Sequence, residues 1–281
     1  MWQRIKTAII LVIIVGTAMF VSRQPFFFLP LLTLGVLIAS HEWTKLMPKR
    51  RDKAHWFVAL VLIITLVSIF VPQSWAVWWG LSVPVWVLAA KWVKDYPAKE
   101  NWYGKRLWTM GVIILVSAIT AMYALWQLSA WWLLYVFVLV WCADSGAYFV
   151  GRKFGKTKLA PNVSPNKSLE GLYGGVATAS LVAVGVGLYL GLDMATLLVF
   201  LALSAVVVGV SVLGDLFESM LKRRAGVKDS GTILPGHGGV LDRIDSLLSA
   251  TPIFAFGILI CDWLGIKFTP HFVMAYQLFG G

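Results

Sequence analysis

The run MATLLVFLALSAVVVGVSVLGDLF, residues 194–217, is apolar almost throughout and turns polar only at its end. As a helix it is long enough to cross a hydrocarbon core about 30 Å thick. It leads directly into GDLFESMLKRRAGVKDSGTILPGHGGVLDRIDS, residues 214–246. Here Asp215, Glu218, Asp229, Asp242 and Asp245 supply five of the chain's 13 carboxylates. Lys222, Arg223, Arg224, Lys228 and Arg243 stand among them. A membrane span that opens onto charges of both signs predicts a helical membrane protein with its chemistry at one surface.

The rest of the chain agrees. Of 281 residues, 59% are hydrophobic and only 13% charged, where a soluble domain carries about 25% charged residues. The apolar runs are continuous rather than alternating, which selects helices over a transmembrane barrel. The runs predict nine spans, at about 5–21, 26–41, 54–71, 75–91, 108–127, 131–150, 171–190, 194–217 and 247–265. The first reads as a retained helix rather than a cleaved signal peptide. Residues 1–130 form a five-span N-terminal region, and residues 131–281 a four-span catalytic region. Trp75, Trp78, Trp79, Trp131 and Trp132 read either as interfacial belts or as lipid-facing bulk. Cys142 and Cys261 lie apart in apolar runs, a pattern of neither zinc site nor disulfide framework.

The net charge of +11 could indicate nucleic acid, but its distribution excludes that reading. All but two of the 24 Lys and Arg residues fall in alternate loops, leaving Arg23 and Lys267 on the other side. The positive-inside rule then places the N-terminus in the cytoplasm and the C-terminus outside. The opposite loops are very short, so aqueous chemistry belongs to the cytoplasmic face or to a cavity open to it.

Three further places carry polar groups. His41 and Glu42 end the second span and, with no partner in view, read as a solvated helix end. Asp144 lies about two turns inside the end of the sixth span, where a carboxylate costs ~2.5–3.5 kcal/mol and needs a polar surrounding. Its neighbours Ala143, Ser145, Gly146 and Ala147 are small enough to admit another helix or a ligand. The segment Ser164-Pro165-Asn166-Lys167-Ser168-Leu169-Glu170-Gly171 reads either as an anion cradle or as a helix start. In the second reading Ser168 is the N-cap and Glu170 lies in the first turn. If the eighth helix continues, Asp215 and Glu218 share a face, and Glu218 with Lys222 forms an i,i+4 pair that supports the helix. Asp242 and Asp245 are also three apart. The glycines of Gly236-His237-Gly238-Gly239 let backbone amides approach a ligand and let Asp242 fold back beside Asp215. Carboxylates interleaved with Lys and Arg suit Mg²⁺ and phosphate chemistry.

At these positions the sequence resembles the phosphatidate cytidylyltransferase family, the CDP-diacylglycerol synthases. The resemblance rests on Ser219 with Lys222-Arg223, Lys228-Asp229, His237-Gly238-Gly239, Asp242-Arg243 and Asp245, with no departure at the fixed positions. It extends to Ala143–Tyr148 and Ser164–Gly171 and covers about residues 140–250 well. It implies transfer of CMP from CTP to phosphatidic acid, with Mg²⁺ as cofactor and one or two cations left open. Asp215 and Asp242 are then the expected metal ligands, with Asp144 joining them. Lys167, Lys222, Arg223 and Lys228 are expected on the phosphates. Ser164, Ser168, His237, Gly238, Gly239 and Arg243 are expected to line the substrates. Asp229 and Asp245 remain open between ligand, supporting and loop-fixing roles. CTP and phosphatidic acid are the expected partners, a homodimer is compatible, and a bacterial inner membrane is the expected location. Two rivals stay open: a CTP-dependent polyprenol or lipid kinase, and an ion-coupled transporter.

Overall fold

The computed structural model describes residues 2–21, 25–47, 52–98 and 104–268. Arg23, Lys49, Arg50, Arg51 and Lys99, used above in the charge argument, lie outside them. The helices are α1 (Trp2–Phe20), α2 (Pro25–Lys45), α3 (Ala54–Phe70), α4 (Trp75–Asp95) and α5 (Lys105–Leu128). They continue with α6 (Ala130–Phe154), α7 (Leu169–Tyr189), α8 (Met194–Ala225) and α9 (Leu241–Trp263). Between α6 and α7, strands β1 (Lys158–Ala160) and β2 (Ser164–Ser168) pair antiparallel. Each expected span coincides with one helix. Seven are long and apolar enough to cross a membrane, while α1 and α3 are shorter apolar helices. The chain is an all-α polytopic membrane protein.

The centre of the bundle is α5, with α9 beside it. In lipid, apolarity does not choose which helix is inside; small and weakly polar residues do, because they let backbones approach. Helix α5 carries Gly111, Ser117, Ala118, Thr120, Ala121 and Ala124, all buried. Helix α9 carries Ser246, Ser249, Ala250 and Thr251, also buried. The Thr251 hydroxyl donates to the Leu247 carbonyl at 2.8 Å and to the Ala118 carbonyl at 3.4 Å. The Ser249 hydroxyl donates to the Val210 carbonyl at 2.7 Å and ties α9 to α8.

The tryptophans correct the sequence reading. Trp75, Trp79 and Trp132 are core residues, and only Trp131 of the five is strongly exposed, at 69%. Their indoles find partners inside: Trp75 Nε1 donates to the Ser68 carbonyl and Trp79 Nε1 to the Thr120 hydroxyl. Phe217 of α8 is fully buried among Trp43, Trp86 and Trp92 from α2 and α4. That aromatic wedge fixes the rotation of α8 between Asp215 and Glu218.

Helices α6 and α7 approach on small residues, as Gly146 and its neighbours suggest. A Cβ at Gly175 would lie 2.7 Å from the Ala143 carbonyl oxygen, and one at Gly171 would lie 2.9 Å from that of Ala147. Gly175→Ala is therefore expected to push α7 off α6 beside Asp144, costing about 1–3 kcal/mol. A fall in the thermal midpoint of purified protein in micelles, with a several-fold loss of activity, checks it.

Candidate active site

Helix α8 is 32 residues long, or about 48 Å at 1.5 Å per residue. A ~30 Å core cannot contain it. Its last turns, with Asp215, Glu218 and Lys222, therefore extend to the surface as a rigid helical arm. Gly226 ends the helix at φ +70°, its N–H donating to the Arg223 carbonyl while that of Val227 reaches Lys222. Glycine adopts this conformation without a Cβ penalty.

Two lysines cross-link the elements around this arm. Lys167, on β2, places Nζ 2.6 Å from Asp215 Oδ2. Asp215 Oδ1 accepts from the Ser219 hydroxyl at 3.2 Å. Lys222 places Nζ 2.5 Å from Glu218 Oε2 and 2.7 Å from Asp242 Oδ1. Asp242 Oδ2 accepts the N–H groups of Ser230 and Gly239 at 2.9 and 2.8 Å. Both Asp242 oxygens are thus engaged, and they fasten the two arms of the 229–240 loop to the start of α9. The charges of Lys167 and Asp215 act on Asp144, and those of Asp215, Lys222 and Lys167 act on Asp245. Asp245, one turn beyond Asp242, is the α9 carboxylate whose field overlaps that of Asp215. Asp242 instead meets Lys222.

The glycine loop is tight. Gly236 and Gly238 sit at φ +75° and +81°, and Leu234 N–H donates to the Gly238 carbonyl at 2.9 Å. A Cβ at Gly238 would lie 2.7 Å from Asp242 Oδ2. His237 Nδ1 is turned out of solvent with no protein partner. Asp229 packs against Gly238. Arg223, Lys228 and Arg243 are exposed at the rim. The Thr7 hydroxyl of α1 donates to the Pro235 carbonyl at 3.1 Å, so α1 touches this loop.

The Ser164–Gly171 segment is the helix start, preceded by a strand that its composition does not announce. Ser168 Oγ accepts the Gly171 N–H at 3.1 Å and caps α7. Glu170 accepts the N–H groups of Lys156 and Thr157 and closes the connection from α6. Ser164 is half-buried at the start of β2. At the far end of α7, Asp193 caps α8, and the Thr196 hydroxyl with the first amides holds its carboxyl below the usual range.

Glu218 has the i,i+4 partner that its spacing predicts, and Glu42 gains a role that its local sequence does not announce. Glu218 is 2% exposed and ion-paired with Lys222. Glu42 is fully buried and is not a solvated helix end. Its Oε2 accepts the Leu241 N–H at 2.7 Å and its Oε1 that of Val240 at 3.2 Å, both at the start of α9. Only His41 beside it is exposed. An acid at the end of an apolar run is the one local signal, and it does not name a partner 199 residues away.

No group of three or more His, Cys, Asp and Glu converges on a metal-sized site among the described residues. That does not suit a protein-built cage. It does suit Mg²⁺, which takes one or two carboxylates and completes its octahedron with water and substrate phosphates. The donor set here, carboxylates flanked by lysines, fits an ion of that kind.

The cytidylyltransferase family model matches residues 2–261. This chain belongs to the cytidylyltransferase family. It is 42% identical over 267 residues to the phosphatidate cytidylyltransferase of Pseudomonas aeruginosa, covering 93% of this chain and 98% of that protein. To the phosphatidate cytidylyltransferase of Haemophilus influenzae it is 35% identical over 290 residues, covering 90% and 97%. A shorter match, 48% over 126 residues, joins it to the phosphatidate cytidylyltransferase of Bacillus subtilis. The Pseudomonas and Haemophilus proteins thus match nearly the whole length of this chain, the membrane helices included.

Proposed function

We propose that the chain is a phosphatidate cytidylyltransferase. A phosphate oxygen of phosphatidic acid attacks the α-phosphorus of CTP. The bond from that phosphorus to the bridging oxygen of the β-phosphate breaks, and pyrophosphate leaves with both electrons of the bond. CDP-diacylglycerol is the lipid product. The observation that carries this reading is the pair of lysines, Lys167 and Lys222, held by carboxylates of α8 and α9 beside the glycine loop.

The chemistry requires little general-base help, because the attacking oxygen is already anionic near neutral pH. The difficulty is bringing two polyanions together and stabilising the leaving group. Lys167 and Lys222 are pre-oriented by their ion pairs, and Arg223, Lys228 and Arg243 add positive charge at the rim. Asp144 and Asp215 would hold Mg²⁺, with Asp242 supporting it from α9. The ion would neutralise charge on the phosphate oxygens of both substrates. The His237-Gly238-Gly239 loop, with Ser164 and Ser168, would line the nucleotide. Asp245 and Asp229 would act as supports, one under the carboxylate group and the other under the loop.

On this reading the site faces the cytoplasm from a bacterial inner membrane, the side to which the basic loops assign it. The test supplies purified protein in micelles with phosphatidic acid, Mg²⁺ and CTP labelled on either the α- or the γ-phosphate. Entry of the α label into lipid with release of pyrophosphate is expected. Entry of the γ label with release of CDP would make the protein a lipid kinase.

A further inference from the structure

We propose that Glu42, from the second helix of the chain, is the positioning residue that holds the glycine loop in its nucleotide-binding shape. The inference rests on the cytidylyltransferase reading above. Its carboxylate gathers both arms of the loop at once. Val240 and Leu241 N–H groups donate to it from one arm, and the Ser230 hydroxyl reaches Oε2 at 3.4 Å from the other. The backbone is fitted around it: a Cβ at Gly231 would strike Oε1, and one at Gly239 would meet Oε2 at 2.5 Å. Asp242 joins the same two arms from the opposite side through Ser230 and Gly239. The loop is thus held between two carboxylates. Asp242 belongs to the loop's own helix and reaches α8 through Lys222. Glu42 belongs to α2, so it fixes the loop to the first half of the bundle.

A carboxylate suits this task because it offers acceptors on both oxygens and no donor. In the Glu42→Gln variant one oxygen becomes an NH₂ group, and a buried backbone N–H loses its acceptor. A loss of that kind corresponds to about tenfold in an equilibrium.

Three measurements on the full-length protein in micelles test this: hydrogen exchange by residues 229–241, CTP affinity with Mg²⁺ by equilibrium dialysis, and KM for phosphatidic acid. Glu42→Gln is expected to speed exchange in the loop and weaken CTP about tenfold. Exchange in α5 and the KM for phosphatidic acid should stay within about twofold. Unchanged loop exchange, faster exchange throughout the bundle, or equal losses for both substrates would each overturn the proposal. So would a freed loop that still binds CTP with full affinity. If Glu42→Gln does not yield folded protein, Gly231→Ala presses on the same contact from the loop side and is expected to give the same selective loss. A wild-type protein that binds no CTP would sink the cytidylyltransferase reading, and loop exchange would then decide the hold of Glu42 alone.

Discussion

Asp215→Asn is expected to lower kcat by about 10²–10³-fold and to raise the Mg²⁺ concentration needed for half-maximal activity. The substitution keeps the size of the side chain and removes its charge. Three things depend on that charge. Asp215 is the counter-ion of Lys167, whose Nζ lies 2.6 Å from Oδ2. It shapes the field at Asp144 and Asp245, which it acts on from α8. It also supplies an anionic oxygen to the ion proposed to bind between the substrates. Loss of it weakens the ion and leaves Lys167 free to move with the β1–β2 hairpin. Activity measured across a Mg²⁺ titration reads both effects. A variant with full activity and unchanged Mg²⁺ dependence would remove Asp215 from the site.

The second large effect belongs to Lys222. Its ammonium group bridges Glu218 and Asp242, whose side chains are 2% and 3% exposed. Lys222→Met keeps the length of the side chain and deletes its charge. Two buried carboxylates then face each other without a cation. Removing one partner of a buried ion pair costs about 3–5 kcal/mol, far more than a surface pair. A marked fall in thermal midpoint is therefore expected, together with loss of activity, because Asp242 no longer holds the Ser230 and Gly239 amides in register. Adding Glu218→Gln to Lys222→Met should recover part of the stability, since one of the stranded charges is gone. It should not recover activity, since the cation proposed to meet phosphate is still missing. If Lys222→Met melts like the wild type, the ion pairs contribute nothing to stability.

The comparison of these two residues explains how far the sequence could be read. Asp215 and Lys222 share a helix whose continuation past the apolar run is legible, because Glu218–Lys222 spacing and Gly226 both mark it. Lys167 comes from a segment that starts α7 as the strand of a short hairpin. Four polar residues and a proline carry no strand periodicity, so nothing local announces the hairpin. The start of α9 was placed six residues too late by its apolar run, because Asp242, Arg243 and Asp245 are polar. The helix extends through them because its first N–H groups find acceptors in Glu42, and no local capping residue announces that.

The sequence alone therefore determined the membrane-spanning helical class, the charge asymmetry and the motif from which the site residues are proposed. These follow from local properties, namely hydropathy, run length and a motif whose members lie within one stretch. Only the tertiary structure decided which carboxylate meets which lysine, that Trp75, Trp79 and Trp132 fill the core, and that Glu42 anchors the glycine loop. Each of those is a pairing between elements far apart in the chain. In a protein that is apolar nearly everywhere, hydropathy does not choose partners; helix rotation, small-residue packing and the satisfaction of buried polar groups do.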